Sequence, residues 1–321
     1  MYDLVIIGAG PTGINCGIEA TKNKLSYCIL EKGVLANSIY HFPTNMTFFS
    51  TSKNLEIGDI PFISHSDKPT RKEALEYYRR LVEYYHLQIK FQQSVIQIDR
   101  IDNLFHITTF KENIKAKNIV LATGFYDSPR LLNVPGENLP KVKHYYDDPH
   151  PYIGMKVIVV GGANSACDVA LETWNHGADV TMIVRRPALY QKVKYWILPN
   201  IQNRIKEGSI KAYFNTVIHS ITADNVTIIQ SGNKVKLEND YVLAMTGYKP
   251  DYTLIDQLGI NYSNSADKIP SFDEASLETN IRGAYIAGVI NGGMKTSSLF
   301  IENTRDHATK IVSHILAISA K

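Results

Sequence analysis

The stretch Leu4-Val5-Ile6-Ile7-Gly8-Ala9-Gly10-Pro11-Thr12-Gly13 opens the chain with a β-branched run and a glycine-rich turn. The residues after it, up to about position 23, are helix-like, and the apolar run Tyr27–Leu30 then ends at Glu31. The order strand, glycine turn, helix, strand and acid is typical of one βαβ unit. The sequence therefore predicts an α/β fold that begins with a dinucleotide-type turn.

Each glycine of this turn has its own physical role. Gly8 permits the tight turn, Gly10 lets the backbone approach a phosphate, and Gly13 lets the helix pack closely on the strand. A helix N-terminus also offers free N–H groups and the positive end of its dipole to a pyrophosphate. Glu31 lies 18 residues after Gly13, where its carboxylate can accept hydrogen bonds from ribose hydroxyls. We interpret the segment as a nucleotide site rather than as a purely structural turn.

The opening pattern returns in the second half of the chain. Val157–Val160 leads into Gly161-Gly162-Ala163-Asn164-Ser165, and a helix-like segment follows. The two halves also close alike, with Leu121-Ala122-Thr123-Gly124 in the first and Ala244-Met245-Thr246-Gly247 in the second. This repeat predicts two dinucleotide-binding units.

The two units differ at the residue that follows the second strand. Glu31 stands there in the first unit, whereas Asp179–Val184 is followed by Arg185-Arg186 in the second. A guanidinium fork matches a 2′-phosphate that a carboxylate would repel, so the pair favours NADPH over NADH. The alternative is that both arginines are only solvated surface charges.

One acid-ended and one arginine-ended site imply two cofactors, FAD in the first and NADPH in the second. We expect two Rossmann-like domains of the three-layer ββα/βαβ type. Residues 1–125 together with 249–321 would form the FAD-binding domain, and residues 126–248 the NADPH-binding domain.

Composition excludes several classes of protein. The 321 residues carry 34 Lys plus Arg against 31 Asp plus Glu, and this small net charge of +3 argues against a nucleic-acid binder. No run of eighteen apolar residues is present, so we expect no membrane span. Met1–Asp3 runs straight into a strand-like segment, which argues against secretion. The cysteine pattern indicates no disulfide framework, so we expect a reducing, cytoplasmic setting. The three cysteines form no C-x-x-C pair and no metal-ligand spacing, so we expect no metal site.

Several motifs carry a resemblance to thioredoxin-reductase-like flavoproteins over essentially the whole chain. They are GAGPTG (8–13), LEKG (30–33), IVLATG (119–124), VPGE (134–137), VVGGANSACDVALE (159–172), VRR (184–186), LAMTGYKPD (243–251) and ETNIRGAYIAG (278–288). Within that group the chain is similar to the bacillithiol disulfide reductase family, through segments such as Ser38-Ile39-Tyr40, Phe48-Phe49-Ser50 and Trp196-Ile197-Leu198-Pro199. The resemblance implies that NADPH reduces FAD, which reduces the disulfide of a low-molecular-weight thiol, in a homodimer.

The resemblance also extends the two sets of cofactor-binding residues. The FAD set is Gly8, Gly10, Pro11, Thr12, Gly13, Glu31, Lys32, Ser38, Tyr40, Phe48, Val95, Thr123, Gly124, Gly288, Val289 and Phe300. The NADPH set is Gly161, Gly162, Ala163, Asn164, Ser165, Arg185, Arg186, Thr246 and Gly247.

The chain departs from the pattern of these families at three places. His144-Tyr145-Tyr146-Asp147 stands where thioredoxin reductases carry a redox C-x-x-C, which excludes their dithiol relay. Val289 replaces the acid that binds the ribityl chain in the usual flavin motif. Thr12 stands where many bacillithiol disulfide reductases carry a glycine-loop cysteine. Cys16, one helical turn further, would take over that role with a lowered pKa, or it is a buried residue of the helix.

Aromatic and histidine candidates surround the predicted flavin. Tyr40 and Phe48 belong to a cluster that either stacks on the isoalloxazine or forms a small satellite core. The pattern predicts a terminal helix from about Thr296 to Ala317, whose N-terminus would point at the flavin. His307 on this helix is a candidate proton donor or a structural residue.

Two further functions stay open from the sequence. Asn164–Asp168 is similar to the second turn of flavin-dependent monooxygenases, although the fingerprint before His144 is only partly matched. A ferredoxin or flavodoxin–NADP reductase, or a redox sensor without turnover, is the other alternative.

Overall fold

A computed structural model describes residues 1–319. The strands are β1 (Tyr2–Ile7), β2 (Tyr27–Leu30), β3 (Ile89–Lys90), β4 (Val95–Ile101), β5 (Leu104–Thr109), β6 (Asn113–Leu121), β7 (Val142–Lys143), β8 (Lys156–Val160), β9 (Asp179–Val184), β10 (Lys211–Phe214), β11 (Thr216–Ile221), β12 (Asn225–Gln230), β13 (Asn233–Glu238), β14 (Tyr241–Ala244) and β15 (Ala284–Ile286). The α-helices are α1 (Pro11–Lys22), α2 (Asn37–Tyr40), α3 (Ser52–Leu55), α4 (Arg71–Tyr85), α5 (Asn164–Asn175), α6 (Leu198–Lys206), α7 (Thr253–Leu258) and α8 (His307–Ser319).

The described chain divides into two compact units. The first contains residues 1–41, 45–128 and 248 to the end of the described chain, and the second contains residues 42–44 and 129–247. Residues 320 and 321, the last two of the predicted FAD-binding domain, lie outside the described residues.

The first unit is built on a seven-stranded mixed sheet in the order β3-β2-β1-β6-β5-β4, with β15 paired to β6. β1, β2, β3, β6 and β15 run parallel, while β4 and β5 add an antiparallel meander. The meander curls over one face of the inner strands, where Val5 and Ile7 share a core with Ile98 and Phe105, while α1 packs on β1 and β2. The inner strands are therefore apolar on both faces. The carboxyl ends of β1, β6 and β15 therefore come to one edge, as a dinucleotide site requires.

The second unit has three layers. Its central parallel sheet has the order β10-β9-β8-β14-β7, and an antiparallel sheet β11-β12-β13 forms a separate layer. Successive residues of β8 point to opposite faces: Val157 and Val159 pack in the core with α5 and α6, while Ile158 and Val160 pack with β11 and β12. Because both faces are buried, the strand reads as a continuous apolar run.

The two βαβ units and the α/β class are confirmed, but the terminal helix begins later than predicted. α8 starts at His307, and residues 296–306 form turns instead of helix. Asn303 Oδ1 accepts the Phe300 N–H at 2.7 Å, and Thr304 Oγ1 donates to the Phe300 carbonyl. Such local bonds compete with regular helix. The expected helix N-terminus around Thr296 is therefore wrong.

Candidate active site

The first glycine turn combines two crowded positions with one open position. Gly8 has φ of +107°, and a Cβ there would lie 2.5 Å from the Ala122 carbonyl oxygen. A Cβ on Gly13 would lie 1.8 Å from the Gly8 oxygen. A Cβ on Gly10 would meet no described atom within 4 Å. Since no side chain caps the N-terminus of α1, the turn has room and backbone N–H groups for a phosphate.

The carboxylate of Glu31 is buried and already holds two backbone donors. Its Oε2 accepts the Ala9 N–H at 2.8 Å, and its Oε1 accepts the Gly33 N–H at 2.7 Å. Burial raises the pKa of Glu31, while these two hydrogen bonds lower it. The acid thus fixes the shape of the glycine turn itself, and each oxygen keeps a second lone pair for another donor.

Three predicted site residues meet where β15 ends. The backbone of Gly288, at φ of +84°, lies against Thr12, whose Oγ1 would be 2.7 Å from an added Cβ. The Gly288 N–H donates to Nδ1 of His307 at 3.0 Å. Nδ1 is therefore unprotonated, so the neutral ring carries its proton on Nε2. Burial lowers the pKa of His307, which keeps this form.

Other predicted FAD residues lie on neighbouring loops of the same unit. Thr123 and Gly124 follow β6, Val289 follows Gly288, and Val95 begins β4. Phe48 is buried, whereas Tyr40 is 49% exposed and stacks with Arg71. Lys32, Tyr40 and Phe300 are exposed, and Ser38 is half-buried in α2. Lys32 forms an ion pair with Asp127 at 2.9 Å.

The second glycine turn repeats the first in detail. Gly161 has φ of +134°, and a Cβ there would lie 2.5 Å from the Met245 carbonyl oxygen. Ala163 precedes α5, whose N-terminus has no side-chain cap. At the neighbouring strand end, Thr246 Oγ1 donates to the Arg130 carbonyl, and the Arg130 N–H donates to the Gly247 carbonyl.

Residues 190–194, which are not in the predicted NADPH set, fold back over the second glycine turn. The Tyr190 N–H donates to the Gly162 carbonyl at 2.8 Å, and the Lys194 N–H donates to Oδ1 of Asn164 at 2.8 Å. Lys194 also forms an ion pair with Asp168 at 2.9 Å. The guanidinium of Arg186 lies 5.9 Å from the centroid of the Tyr190 ring. Gly162, Asn164 and Arg186 thus share one surface with Tyr190, while the side chains of Arg185 and Arg186 are exposed.

Of the two interpretations of Cys16, the structure contradicts the reactive thiol with a lowered pKa and agrees with the buried residue of the helix. Its side chain is fully buried, and burial raises its pKa to about 12 instead of lowering it. Cys16 is the sixth residue of α1, beyond the first turn in which the helix dipole acts. Thr12, by contrast, is only half-buried. The spacing of one helical turn placed Cys16 correctly along the helix but could not show what packs over it.

Sequence reasoning also missed Asn291, in the 3₁₀ helix Gly288–Gly292. Its Nδ2 donates to the Ile286 carbonyl at 3.1 Å, whereas its buried Oδ1 has no hydrogen-bond partner among the described residues. A buried acceptor without a donor is costly. The only sequence signal was the absence of an acid at Val289.

Comparison with known proteins agrees with this geometry. The pyridine nucleotide-disulphide oxidoreductase family matches residues 5–288. The chain is 40% identical over 97% of its length to the bacilliredoxin reductase Bdr of Bacillus subtilis, covering 96% of that protein. It superimposes on the bacillithiol disulfide reductase Bdr (YpdA) of Staphylococcus aureus with a TM-score of 0.95, at 39% identity and 98% coverage of both chains.

More distant relatives show the fold alone. The thioredoxin reductase of Lactococcus lactis matches with a TM-score of 0.78 at 21% identity, covering 100% of this chain and 99% of that one. Ferredoxin–NADP reductases and flavin monooxygenases match at 20–24% identity. The predicted thioredoxin-reductase-like fold and the predicted family are thus confirmed. The chain belongs to the pyridine nucleotide-disulphide oxidoreductases and, among these enzymes, to the bacillithiol disulfide reductase (Bdr) family.

Proposed function

We propose that this enzyme is an NADPH-dependent FAD flavoprotein that reduces a low-molecular-weight thiol disulfide, with bacillithiol disulfide as its substrate. The observation that carries the proposal is the repeated turn, because Gly8 and Gly161 make the same close approach to the next strand end. Two such turns in one chain of this family call for two nucleotides.

FAD would lie in the unit that contains β1, in the predicted domain 1–125 plus 249–321. The fit is supported by the open space at Gly10 and the uncapped N-terminus of α1. When bound, FAD supplies the two-electron chemistry of the reaction. In our proposal Glu31 holds the turn and accepts from the ribose, while Thr12, Gly288 and His307 shape the neighbouring wall. Asn291 is our candidate for the contact that the missing acid at Val289 would make.

NADPH would lie in the unit that contains β8, in the predicted domain 126–248. The exposed guanidinium groups of Arg185 and Arg186 support a 2′-phosphate site beside Gly162. Tyr190 adds an aromatic face next to Arg186, on a segment that Lys194 and Asp168 anchor. The ring can stack on the adenine while the arginines hold the phosphate.

The names of these relatives indicate two acceptors, bacillithiol disulfide and a bacilliredoxin. The test is NADPH consumption by the FAD-loaded protein with bacillithiol disulfide, with glutathione disulfide, and with a bacilliredoxin carrying a bacillithiol mixed disulfide. We expect one NADPH and one proton to yield NADP⁺ and two thiols with bacillithiol disulfide, and a smaller rate with glutathione disulfide. NADPH consumption that requires oxygen and yields a hydroxylated product would instead support a monooxygenase.

We further propose a cytoplasmic homodimer. Three free cysteines support a reducing compartment. No helix among residues 1–319 is long and apolar enough to cross a bilayer. Exposed apolar side chains in the FAD-containing unit, such as Ile63 and Phe49, support a surface that a second copy covers. Light scattering of the purified protein measures its mass, and a mass of one chain would contradict the dimer.

A further inference from the structure

None of the three cysteines of this chain offers its sulfur to a substrate. Cys16 in α1, Cys28 in β2 and Cys167 in α5 are all free and buried, with exposed fractions of 0%, 1% and 0%. Thiol–disulfide exchange requires a thiolate that reaches a substrate sulfur. A side chain covered by protein atoms cannot meet this requirement without opening of the core.

The protonation of these cysteines points in the same direction. Burial raises the pKa of Cys16 to about 12, that of Cys28 to about 11, and that of Cys167 to about 12. The nucleophile is the thiolate, so a buried thiol is inert at neutral pH.

Position 12 has the surroundings that a reactive thiol needs, but no sulfur. Thr12 is half-buried and is the second residue of α1, beside an uncapped helix N-terminus. Such a position favours an anion, including a thiolate. Its side chain also lies against Gly288, where β15 ends. A hydroxyl there donates and accepts hydrogen bonds but cannot exchange with a disulfide.

We infer that this enzyme forms no mixed disulfide with its substrate, so that both sulfur atoms in the reaction belong to the substrate. The inference rests on the proposed function and deepens it. The substrate S–S bond breaks, NADPH is oxidised to NADP⁺ and supplies two electrons and one proton, the solvent supplies the second proton, and the two sulfurs leave as two thiols.

Covalent trapping followed by mass spectrometry tests this inference. The FAD-loaded protein is reduced with NADPH, mixed with bacillithiol disulfide, and treated with iodoacetamide under native conditions. We expect neither an alkylated cysteine nor a bacillithiol adduct in the native protein, and three alkylated cysteines after denaturation. A Thr12→Cys variant should gain one native alkylation site and a bacillithiol adduct at position 12, whereas Thr12→Ser, which adds no sulfur, should gain neither.

NADPH consumption in the same samples distinguishes failure of this inference from failure of the proposed function. Consumption together with a bacillithiol adduct on Cys16, Cys28 or Cys167 overturns the inference and leaves the proposed function standing. Absence of consumption with every disulfide overturns the proposed function, and the inference falls with it. If Thr12→Cys does not fold, the search for a bacillithiol adduct in the parent protein tests the inference without it.

Discussion

The buried imidazole of His307 accepts the backbone N–H of Gly288, with 3.0 Å between Nδ1 and the amide nitrogen. This bond connects the first residue of α8 to Gly288, the second residue after β15. Gly288 in turn lies against Thr12. A histidine on the last helix therefore fixes the backbone beside the first glycine turn. It can do so only as the neutral Nε2–H tautomer, because a protonated Nδ1 would face another donor.

The stability of the protein should fall as the pH drops through the range in which His307 titrates. Its folded pKa lies below the ordinary 6.5, so the unfolded chain binds the proton first. The stabilisation is complete above pH 6.5 and is lost progressively below it. Urea unfolding at pH 7.5 and 5.0 measures the effect. His307→Asn keeps an acceptor and does not titrate, so its free energy of unfolding should fall less between pH 7.5 and pH 5.0 than that of the parent protein. The control His150→Asn, at an exposed position, should lose as much stability as the parent protein over the same pH range.

At pH 7.5, His307→Ala should destabilise the protein by about 1–3 kcal/mol, because it leaves the buried Gly288 N–H without an acceptor. Equal pH dependence in the parent and the His307→Asn variant would contradict a role of this histidine in the titration.

Alanine at two glycines of the first turn should separate folding from cofactor binding. Gly13→Ala places a Cβ 1.8 Å from the Gly8 oxygen, so we expect destabilisation of about 3 kcal/mol. Gly10→Ala meets no described protein atom within 4 Å, and its φ of −75° suits alanine. This variant should keep the parent melting temperature to within about 2 °C as the apoprotein but lose most of its flavin absorbance. Full flavin content in Gly10→Ala would contradict a pyrophosphate site at this turn.

Glu31→Gln tests whether the acid is needed for the shape of the turn. Glutamine offers one acceptor, so its NH₂ group would face either the Ala9 or the Gly33 N–H. We expect a loss of about 1–3 kcal/mol in the free energy of unfolding and a lower ratio of bound FAD to protein. The matched control is Glu274→Gln on the surface, which should change neither. A parent-like stability of Glu31→Gln would show that the two hydrogen bonds are dispensable.

The glycine turns were predictable because their geometry leaves few other residues. The left-handed φ of Gly8 and Gly161, together with a carbonyl oxygen 2.5 Å from each Cβ position, makes a side chain costly there. A glycine pattern between a strand and a helix thus carries its own physical reason. The strands were predictable for a similar reason, since burial on both faces demands the apolar runs that the sequence shows.

The parts that the sequence could not predict depend on contacts between distant segments. Thr296–Asp306 has helix-compatible residues, but side-chain bonds to the backbone at Asn303 and Thr304 decide its turns. Cys16 shares a helix face with Thr12, but its side chain is fully buried. The helices α4 and α8, which are distant in the sequence, pack on α1. The bond between His307 and Gly288 spans 19 residues and has no local signature.

Replacement of Arg185 or Arg186 should weaken the preference of the enzyme for NADPH over NADH. Arg185→Ala and Arg186→Ala each remove a cation that can form charge-assisted hydrogen bonds with a 2′-phosphate, worth about 1.5–3 kcal/mol. Each variant should therefore bind 2′,5′-ADP about 10-fold to 100-fold more weakly by isothermal titration calorimetry. The ratio of kcat/KM for NADPH to that for NADH should fall by a similar factor, with kcat/KM for NADH little changed.

Arg282→Ala, an exposed arginine of the other unit, is the matched control for charge alone and should leave both quantities unchanged. Tyr190→Phe should bind 2′,5′-ADP like the parent protein, because the ring and the backbone bond to Gly162 remain, whereas Tyr190→Ala should bind it more weakly. If both arginine variants bound 2′,5′-ADP as tightly as the parent protein, the two guanidinium groups would be solvated surface charges, and the phosphate site would have to lie elsewhere in the second unit.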